Sequence, residues 1–222
     1  MKITSPGRFA LIGMVWFFAA CATGPRESPG ETQKIASSTK TTILVTYYSR
    51  GGSTKKLAEA IVEGAASVEN TEVVLKPVAE VGADDLLGCD GIIVGSPVYY
   101  ANMAHEVKEF FDNWTLKFGI YPENKMAFKP GAAFASGFWA SGGKEMVINS
   151  INAAFLNSAM IVVAGEKGAG ASATGEFKEE GRQTDLERFE YQDGFALGRR
   201  VAMVAAALKT CLLKVETPAS RG

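Results

Sequence analysis

The chain of 222 residues carries 23 Lys and Arg against 24 Asp and Glu, a formal net charge of −1. This balance argues against a nucleic-acid-binding protein, whose surface is typically strongly basic. The length suits one domain with a substantial core, and 3 cysteines are too few for a disulfide scaffold.

The first twenty residues have the three zones of an export signal. Lys2 and Arg8 give a positive start, residues 9–20 form an apolar run too short to span a bilayer, and small residues precede Cys21. A cysteine at this point resembles the cleavage box of bacterial lipoproteins, so we expect residues 1–20 to be a signal peptide and Cys21 to be lipidated. The alternative is a plain signal peptide in which Cys21 is incidental. The prediction places the protein in the bacterial cell envelope, anchored by its lipid to the periplasmic face of a membrane.

Residues 22–41 are rich in Pro, Gly, Ser and Thr, which predicts a flexible linker. We expect one folded domain over residues 42–213 and a disordered tail over residues 214–222. Cys89 and Cys211 are expected to be buried free thiols, with a disulfide between them as the alternative.

The domain begins with a β-branched and aromatic run at residues 43–48, a turn at residues 49–54 and then a helical period. The turn contains two adjacent glycines and three hydroxyl side chains, and the first N–H groups of the helix favour an anion. The alternative is an ordinary turn in which Ser53 caps the helix. The predicted phosphate-binding residues are Ser49, Arg50, Gly51, Gly52, Ser53 and Thr54.

Strands alternate with helices along the rest of the domain, which predicts a doubly wound α/β sheet of five parallel strands. The further strands are expected at residues 71–76, 91–95, 131–135 and 160–164. The helices are expected at residues 57–67, 104–114, 144–157 and 186–213. Residues 78–89 and 165–185 are predicted to be polar segments, and residues 176–188 either a lid over the site or a surface excursion.

Two further loops, at residues 96–102 and 136–143, also follow strands. Because ligands in such sheets bind at the carboxyl ends of the strands, we expect the three loops to converge on one site. The two loops contain flat side chains that suit a planar ring and glycines that let the backbone approach it. A phosphate site beside a site for an aromatic ring system describes a mononucleotide, and flavin mononucleotide (FMN) fits this architecture.

Three sequence runs carry a family resemblance: residues 48–54 (YSRGGST), residues 95–103 (GSPVYYANM), and residues 134–136 (FAS) with residues 142–145 (GGKE). They resemble the flavodoxin-like fold, which implies the strand order 2-1-3-4-5 with helices on both faces. Within that fold they are most similar to NAD(P)H:quinone oxidoreductases of the tryptophan-repressor-binding-protein type and to NAD(P)H-dependent FMN reductases. The resemblance covers about residues 42–209.

The resemblance implies an enzyme that passes electrons from NAD(P)H, or another donor, through FMN to a quinone-like acceptor. The phosphate would lie on the first loop and the ring between the second and third. No metal or side-chain nucleophile is required. The cofactor-binding residues expected in the second and third loops are Ser96, Pro97, Val98, Tyr99, Tyr100, Asn102, Ser136, Gly137, Trp139, Gly142 and Gly143.

His105, the one histidine in the chain, is either a proton donor near the flavin or a solvated residue in the first turn of its helix. Two other functions stay open: an electron carrier of flavodoxin type, and a flavin-free binding lipoprotein of the same fold. Relatives often form homo-oligomers, and the sequence leaves the oligomeric state of this chain open.

Overall fold

The structure, a computed structural model, describes residues 40–175 and 185–216, with side chains as far as Cys211. The strands are β1 (Thr41–Tyr47), β2 (Thr71–Pro77), β3 (Gly91–Tyr99), β4 (Asn102–Met103), β5 (Pro130–Gly137), β6 (Ile161–Val162) and β7 (Ala171–Thr174). The helices are α1 (Ser53–Ala66), α2 (Ala83–Gly88), α3 (His105–Leu116), α4 (Lys144–Asn157) and α5 (Arg188–Glu216).

The sheet follows the order β2-β1-β3-β5-β6, with all of these pairs parallel. β7 is parallel to β5 on the same side as β6, so β6 and β7 occupy one edge position. β4 pairs antiparallel with the end of β3. The predicted doubly wound sheet with five strand positions is therefore confirmed, and its fifth strand is interrupted.

Side chains alternate between two cores along the buried strands, as a pleated sheet covered on both faces requires. Leu44 and Ile92 face α3 and α4, whereas Ile43 and Ile93 face α1 and α5. All four are at most 1% exposed. The two helical layers leave the strand ends free, so loops at the carboxyl ends of the strands can form a site.

The edge strand differs from the prediction of one strand at residues 160–164 followed by a polar segment. β6 is only two residues long, and the segment predicted as polar contains β7. The excursion between them is held by side chains of two helices: Asn152 Nδ2 donates to the Ala169 carbonyl at 3.0 Å, and Arg200 Nε donates to the Ala164 carbonyl at 3.0 Å. The sequence of β7, ASAT, contains no large apolar residue that would have predicted a strand.

Other boundaries also differ. α1 begins at Ser53, where the anion-binding helix start was predicted, whereas β3 continues through the second predicted loop as far as Tyr99. Residues 78–89, predicted as a polar stretch, contain a 3-10 turn and α2. α5 continues to Glu216, three residues into the predicted tail.

The amino end of β1 is fastened to the last helix. The Thr42 N–H donates to Asp90 Oδ2 at 2.8 Å. Lys209 Nζ donates to the same carboxylate oxygen and to the Lys40 carbonyl, each at 2.7 Å. This cluster lies at the amino ends of the parallel strands, opposite to the carboxyl ends.

Cys89 and Cys211 are both free thiols, as predicted. Cys89 is buried, and burial raises the pKa of its thiol to about 11. Cys211 is exposed, so the prediction that it is buried was wrong.

No helix among residues 40–175 and 185–216 is long and apolar enough to cross a membrane. The predicted signal peptide, Cys21, most of the linker, residues 176–184 and residues 217–222 lie outside the described residues.

Candidate functional site

The three loops that follow β1, β3 and β5 meet at one edge of the sheet, as the sequence predicted. Thr54 Oγ1 in the first loop lies 2.8 Å from Ser136 Oγ in the third, and this hydrogen bond is buried. Tyr48 and Tyr99 bring the first and second loops together, with ring centroids 6.5 Å apart at 75°. The three stretches predicted to form the site therefore lie next to one another at the carboxyl ends of the strands.

The first loop contains backbone donors that have no acceptor among residues 40–175 and 185–216. Ser49 Oγ accepts from the N–H of Gly52 at 3.0 Å, and Gly52 begins α1 with a positive φ of 92° and no side-chain cap. Within the described chain, the backbone N–H groups of Gly51, Ser53 and Thr54 have no acceptor. Unused N–H groups at a helix start attract an anion such as a phosphate. Arg50 is exposed beside them.

The second loop is a tight hairpin between β3 and β4. Tyr100 and Ala101 form its turn, and both adopt positive φ, 50° and 59°. Non-glycine residues pay for this left-handed conformation, and such strain is typical of functional sites. The turn projects Tyr100 fully into solvent, with Tyr99 38% exposed and Asn102 exposed beside it.

Ser96 has a different position from the one its prediction as a cofactor ligand suggests. Its side chain is completely buried. Ser96 Oγ accepts from the Ala104 N–H at 2.8 Å and donates to the Pro97 carbonyl at 2.8 Å. Both hydrogen bonds stabilise the start of the hairpin, so the Ser96 hydroxyl supports the second loop from the protein interior. Pro97 and Val98 are partly buried in the strand above it.

The third loop presents aromatic side chains to solvent. Phe138 and Trp139 pack edge to face with ring centroids 4.6 Å apart, and Trp139 is 68% exposed. The indole therefore does not fill a buried ring site. Gly142 and Gly143 end the loop, and Gly143 has a positive φ of 91° where it meets Ala101 of the hairpin.

A small polar cluster joins the first two loops to α3. The Tyr48 hydroxyl is hydrogen-bonded to Glu106, which raises the pKa of Tyr48 to about 12, with burial and Tyr99 contributing. His105 Nδ1 lies 3.2 Å from Glu106 Oε2, while the His105 side chain is 85% exposed. His105 is thus a solvated first-turn residue beside a carboxylate.

Lys144 and Thr174 also lie at the carboxyl ends of the strands, and neither was predicted to belong to the site. Lys144 begins α4 yet is only 6% exposed, and its Nζ donates to Thr174 Oγ1 at 2.7 Å. Thr174 ends β7, the strand that was not predicted. A lysine at the first position of a helix, directly after two glycines, was the signal available in the sequence.

The arrangement fits a phosphorylated planar cofactor better than a metal. Among the described residues, no group of three or more His, Cys, Asp and Glu could hold a metal ion. Unused N–H groups of the first loop suit a phosphate, and exposed aromatic rings on the other two loops suit a flat ring system. The residues present therefore fit FMN.

Comparison with known proteins agrees with this geometry. The family described as NADPH-dependent FMN reductase matches residues 39–174. A flavodoxin of Aquifex aeolicus (strain VF5) is 38% identical over 120 residues, which are 54% of this chain and 63% of that protein. An NAD(P)H dehydrogenase (quinone) of Geotalea daltonii is 33% identical over 145 residues, covering 54% of this chain and 69% of that protein.

Solved structures share the fold. A flavodoxin, WrbA-like protein from Agrobacterium tumefaciens superposes with a TM-score of 0.62 at 20% identity, covering 76% of this chain and 99% of that one. A flavodoxin from the domain Archaea superposes with a TM-score of 0.57 at 25% identity, covering 74% and 98%. Similarity at this level of identity supports the architecture.

Proposed function

Because the chain belongs to the NADPH-dependent FMN reductase family, we propose that it passes electrons from NAD(P)H through FMN to a quinone. FMN is the cofactor of this flavin-dependent oxidoreductase, and NAD(P)H is its donor. The observation that carries the proposal is the meeting of an anion-binding turn with two aromatic loops at one sheet edge.

The residues of the chain would bind and orient the cofactor. The N–H groups of Gly51, Ser53 and Thr54, which have no acceptor in the part of the chain that the structure describes, would hold the phosphate. The backbone of residues 97–102 would line the ring edge. Tyr100 and Trp139 would cover the ring faces. When bound, FMN would supply the chemistry, which is acceptance of hydride from NAD(P)H and transfer of two electrons to the acceptor.

Quinone is proposed as the acceptor because two relatives are named NAD(P)H dehydrogenase (quinone). To test this, purified full-length protein is examined by absorption spectroscopy and then reduced anaerobically with NADH or NADPH. A flavin spectrum that bleaches with the nicotinamide and returns on addition of a benzoquinone supports the proposal. Failure to retain or take up FMN contradicts it.

A second function, electron carriage of flavodoxin type, is favoured by the 38% identity to a protein named flavodoxin. Steady-state oxidation of NAD(P)H in the presence of excess benzoquinone separates the two. An oxidoreductase turns over many times with these two substrates alone, whereas a carrier needs a protein reductase. The flavin-free alternative has less support, since it requires the Trp139 indole to fill the ring site and this side chain is exposed.

We also propose that Cys21 carries a lipid that anchors the protein at the periplasmic face of a bacterial membrane. The support is the order of charged, apolar and small residues before Cys21. Labelled fatty acid should be incorporated by the natural chain and not by Cys21→Ala. Equal labelling of both would contradict lipidation at this residue. The oligomeric state is measured in the same preparation by light scattering.

A further inference from the structure

Lys144 has an almost completely buried side chain with a single hydrogen-bond partner among the described residues. It stands at the first position of α4, where the positive end of the helix dipole disfavours a second positive charge. Its side chain is 6% exposed, and burial of a charge is costly unless the charge is paired. Only one of its three ammonium donors, the one on Thr174 Oγ1, has an acceptor within residues 40–175 and 185–216.

The position of the ammonium follows from the residues over which the side chain passes. A Cβ at Gly137 would lie 3.0 Å from Lys144 Cγ and 3.4 Å from Cδ, so the absence of a side chain there makes room for the lysine. Gly137 and Thr174 are partners in register at the carboxyl ends of β5 and β7. The ammonium therefore lies at the strand ends below the third loop, on the edge that carries the site.

One carboxylate lies near this cation without pairing with it. Glu190 is 3% exposed. Its Oε1 accepts from the Thr174 N–H at 2.6 Å, and its Oε2 accepts from the Glu187 N–H at 3.1 Å. No salt bridge joins Glu190 to Lys144 in the part of the chain that the structure describes. Removing the lysine charge would leave a buried negative charge at this edge.

We propose that Lys144 is a positioning residue whose charge favours the reduced form of the bound cofactor; this inference rests on the function proposed above. A flavin that takes up two electrons and one proton gains one negative charge. A fixed cation at the same sheet edge stabilises that form relative to the oxidised one. The lysine thus raises the two-electron reduction potential of the bound cofactor.

The size of the effect can be bounded. At an effective dielectric constant of about 20, a unit charge about 10 Å away changes an equilibrium by roughly tenfold or more. We therefore expect neutralisation of Lys144 to lower the preference of the protein for reduced over oxidised FMN by about tenfold. For a two-electron couple, a tenfold change in the equilibrium constant is about 30 mV in the midpoint potential.

The midpoint potential of bound FMN is measured by spectroelectrochemistry on the full chain. The dissociation constants of oxidised and reduced FMN are measured for the same proteins. Lys144→Met removes the charge, and Lys144→Gln removes it while keeping a hydrogen-bond donor for Thr174. Lys129→Met is the matched control, because it makes the same change in net charge at a lysine that donates to the Leu86 and Leu87 carbonyls, away from the three loops.

Both Lys144 variants should lower the midpoint by a similar amount, and Lys129→Met should leave it unchanged. A midpoint unchanged in both Lys144 variants overturns the inference, even if they are less stable. A fall in Lys144→Met that Lys144→Gln restores also overturns it, because the hydrogen bond rather than the charge would then be responsible. If the natural chain does not bind FMN, the proposed function itself fails, and that outcome is distinct from both.

Discussion

Gly143 and Ala101 are in such close contact that a Cβ on Gly143 would lie 3.0 Å from both the Cα and the Cβ of Ala101. The contact joins the start of α4 to the hairpin turn of the second loop. Because Gly143 also has a φ of 91°, no other residue fits this position without strain.

Gly143→Ala should therefore lower the free energy of unfolding by about 1–3 kcal/mol, from the backbone strain and the displaced hairpin. Chemical denaturation of the two proteins measures the difference. Gly88→Ala is the control, since nothing lies within 4 Å of a Cβ there and its φ is not positive. A Gly143→Ala protein as stable as the control would show that the two loops do not touch in solution.

Ala101→Gly should have the opposite effect. Ala101 holds a φ of 59°, which an L-residue adopts at a cost of about 1–2 kcal/mol and glycine adopts freely. We expect a gain in stability of about 1 kcal/mol by urea denaturation, offset in part by the larger backbone entropy of glycine when unfolded. A loss of stability would mean that the methyl group contributes more by packing than the turn costs.

The buried hydroxyl pair of Thr54 and Ser136 offers a double-mutant test of loop convergence. Thr54→Val or Ser136→Ala alone leaves one buried hydroxyl without its partner, so each should cost about 1–3 kcal/mol. The double variant should cost less than the sum of the two single losses. Simple additivity in the unfolding free energies would contradict a direct bond between the first and third loops.

Tyr48 should titrate well above its ordinary range. Its hydrogen bond to Glu106 favours the neutral phenol and raises the pKa to about 12, whereas the unfolded chain ionises near 10. Stability from this pair is therefore complete below pH 10 and is lost between pH 10 and pH 12. Carbon-13 NMR of the tyrosine ring carbons, assigned with Tyr48→Phe, measures the pKa.

In Glu106→Ala the pKa of Tyr48 should fall toward 10. His105→Ala is the control, because it removes an exposed side chain next to Glu106 and leaves the carboxylate in place. A Tyr48 pKa near 10 in the natural chain would contradict this prediction. A fall in His105→Ala as large as in Glu106→Ala would show that the Glu106 carboxylate is not the cause of the raised pKa.

Tyr100→Ala should separate cofactor binding from stability. The side chain is fully exposed, so its loss should change the unfolding free energy by no more than about 0.5 kcal/mol. If the ring stacks on FMN, its loss should weaken binding by about 2- to 10-fold. Flavin fluorescence titration measures the affinity, with the exposed Tyr121→Ala as the control. Equal affinities for both variants would exclude stacking by Tyr100.

The sequence was sufficient to predict how the site is assembled, because parallel strands bring the loops that follow them to one edge. The glycine pair at residues 51–52 and the tyrosine pair at residues 99–100 marked two of those loops directly. β7 was not predicted because the small residues of its sequence, ASAT, carry no local signal for a strand. Such residues suit a strand only where the neighbouring helices pack close to the sheet. The distance between helices and sheet depends on tertiary packing and produces no pattern in the local sequence.

The roles of Ser96 and Lys144 were beyond sequence reasoning for a related reason. The burial of Ser96 depends on the hairpin folding back so that the Ala104 N–H reaches it. The burial of Lys144 depends on Thr174, 30 residues away, and on the space above Gly137. The sequence shows that these residues are polar, whereas their hydrogen-bond partners follow only from the three-dimensional contacts.

The contacts of Lys40 and Thr42 with Asp90 and Lys209 hold the amino end of β1 against α5. Seven residues of β1, at about 3.3 Å each, separate this point from the three loops, a distance of about 23 Å. The contacts that fix the first described residues are therefore separated from the three loops by the whole length of β1.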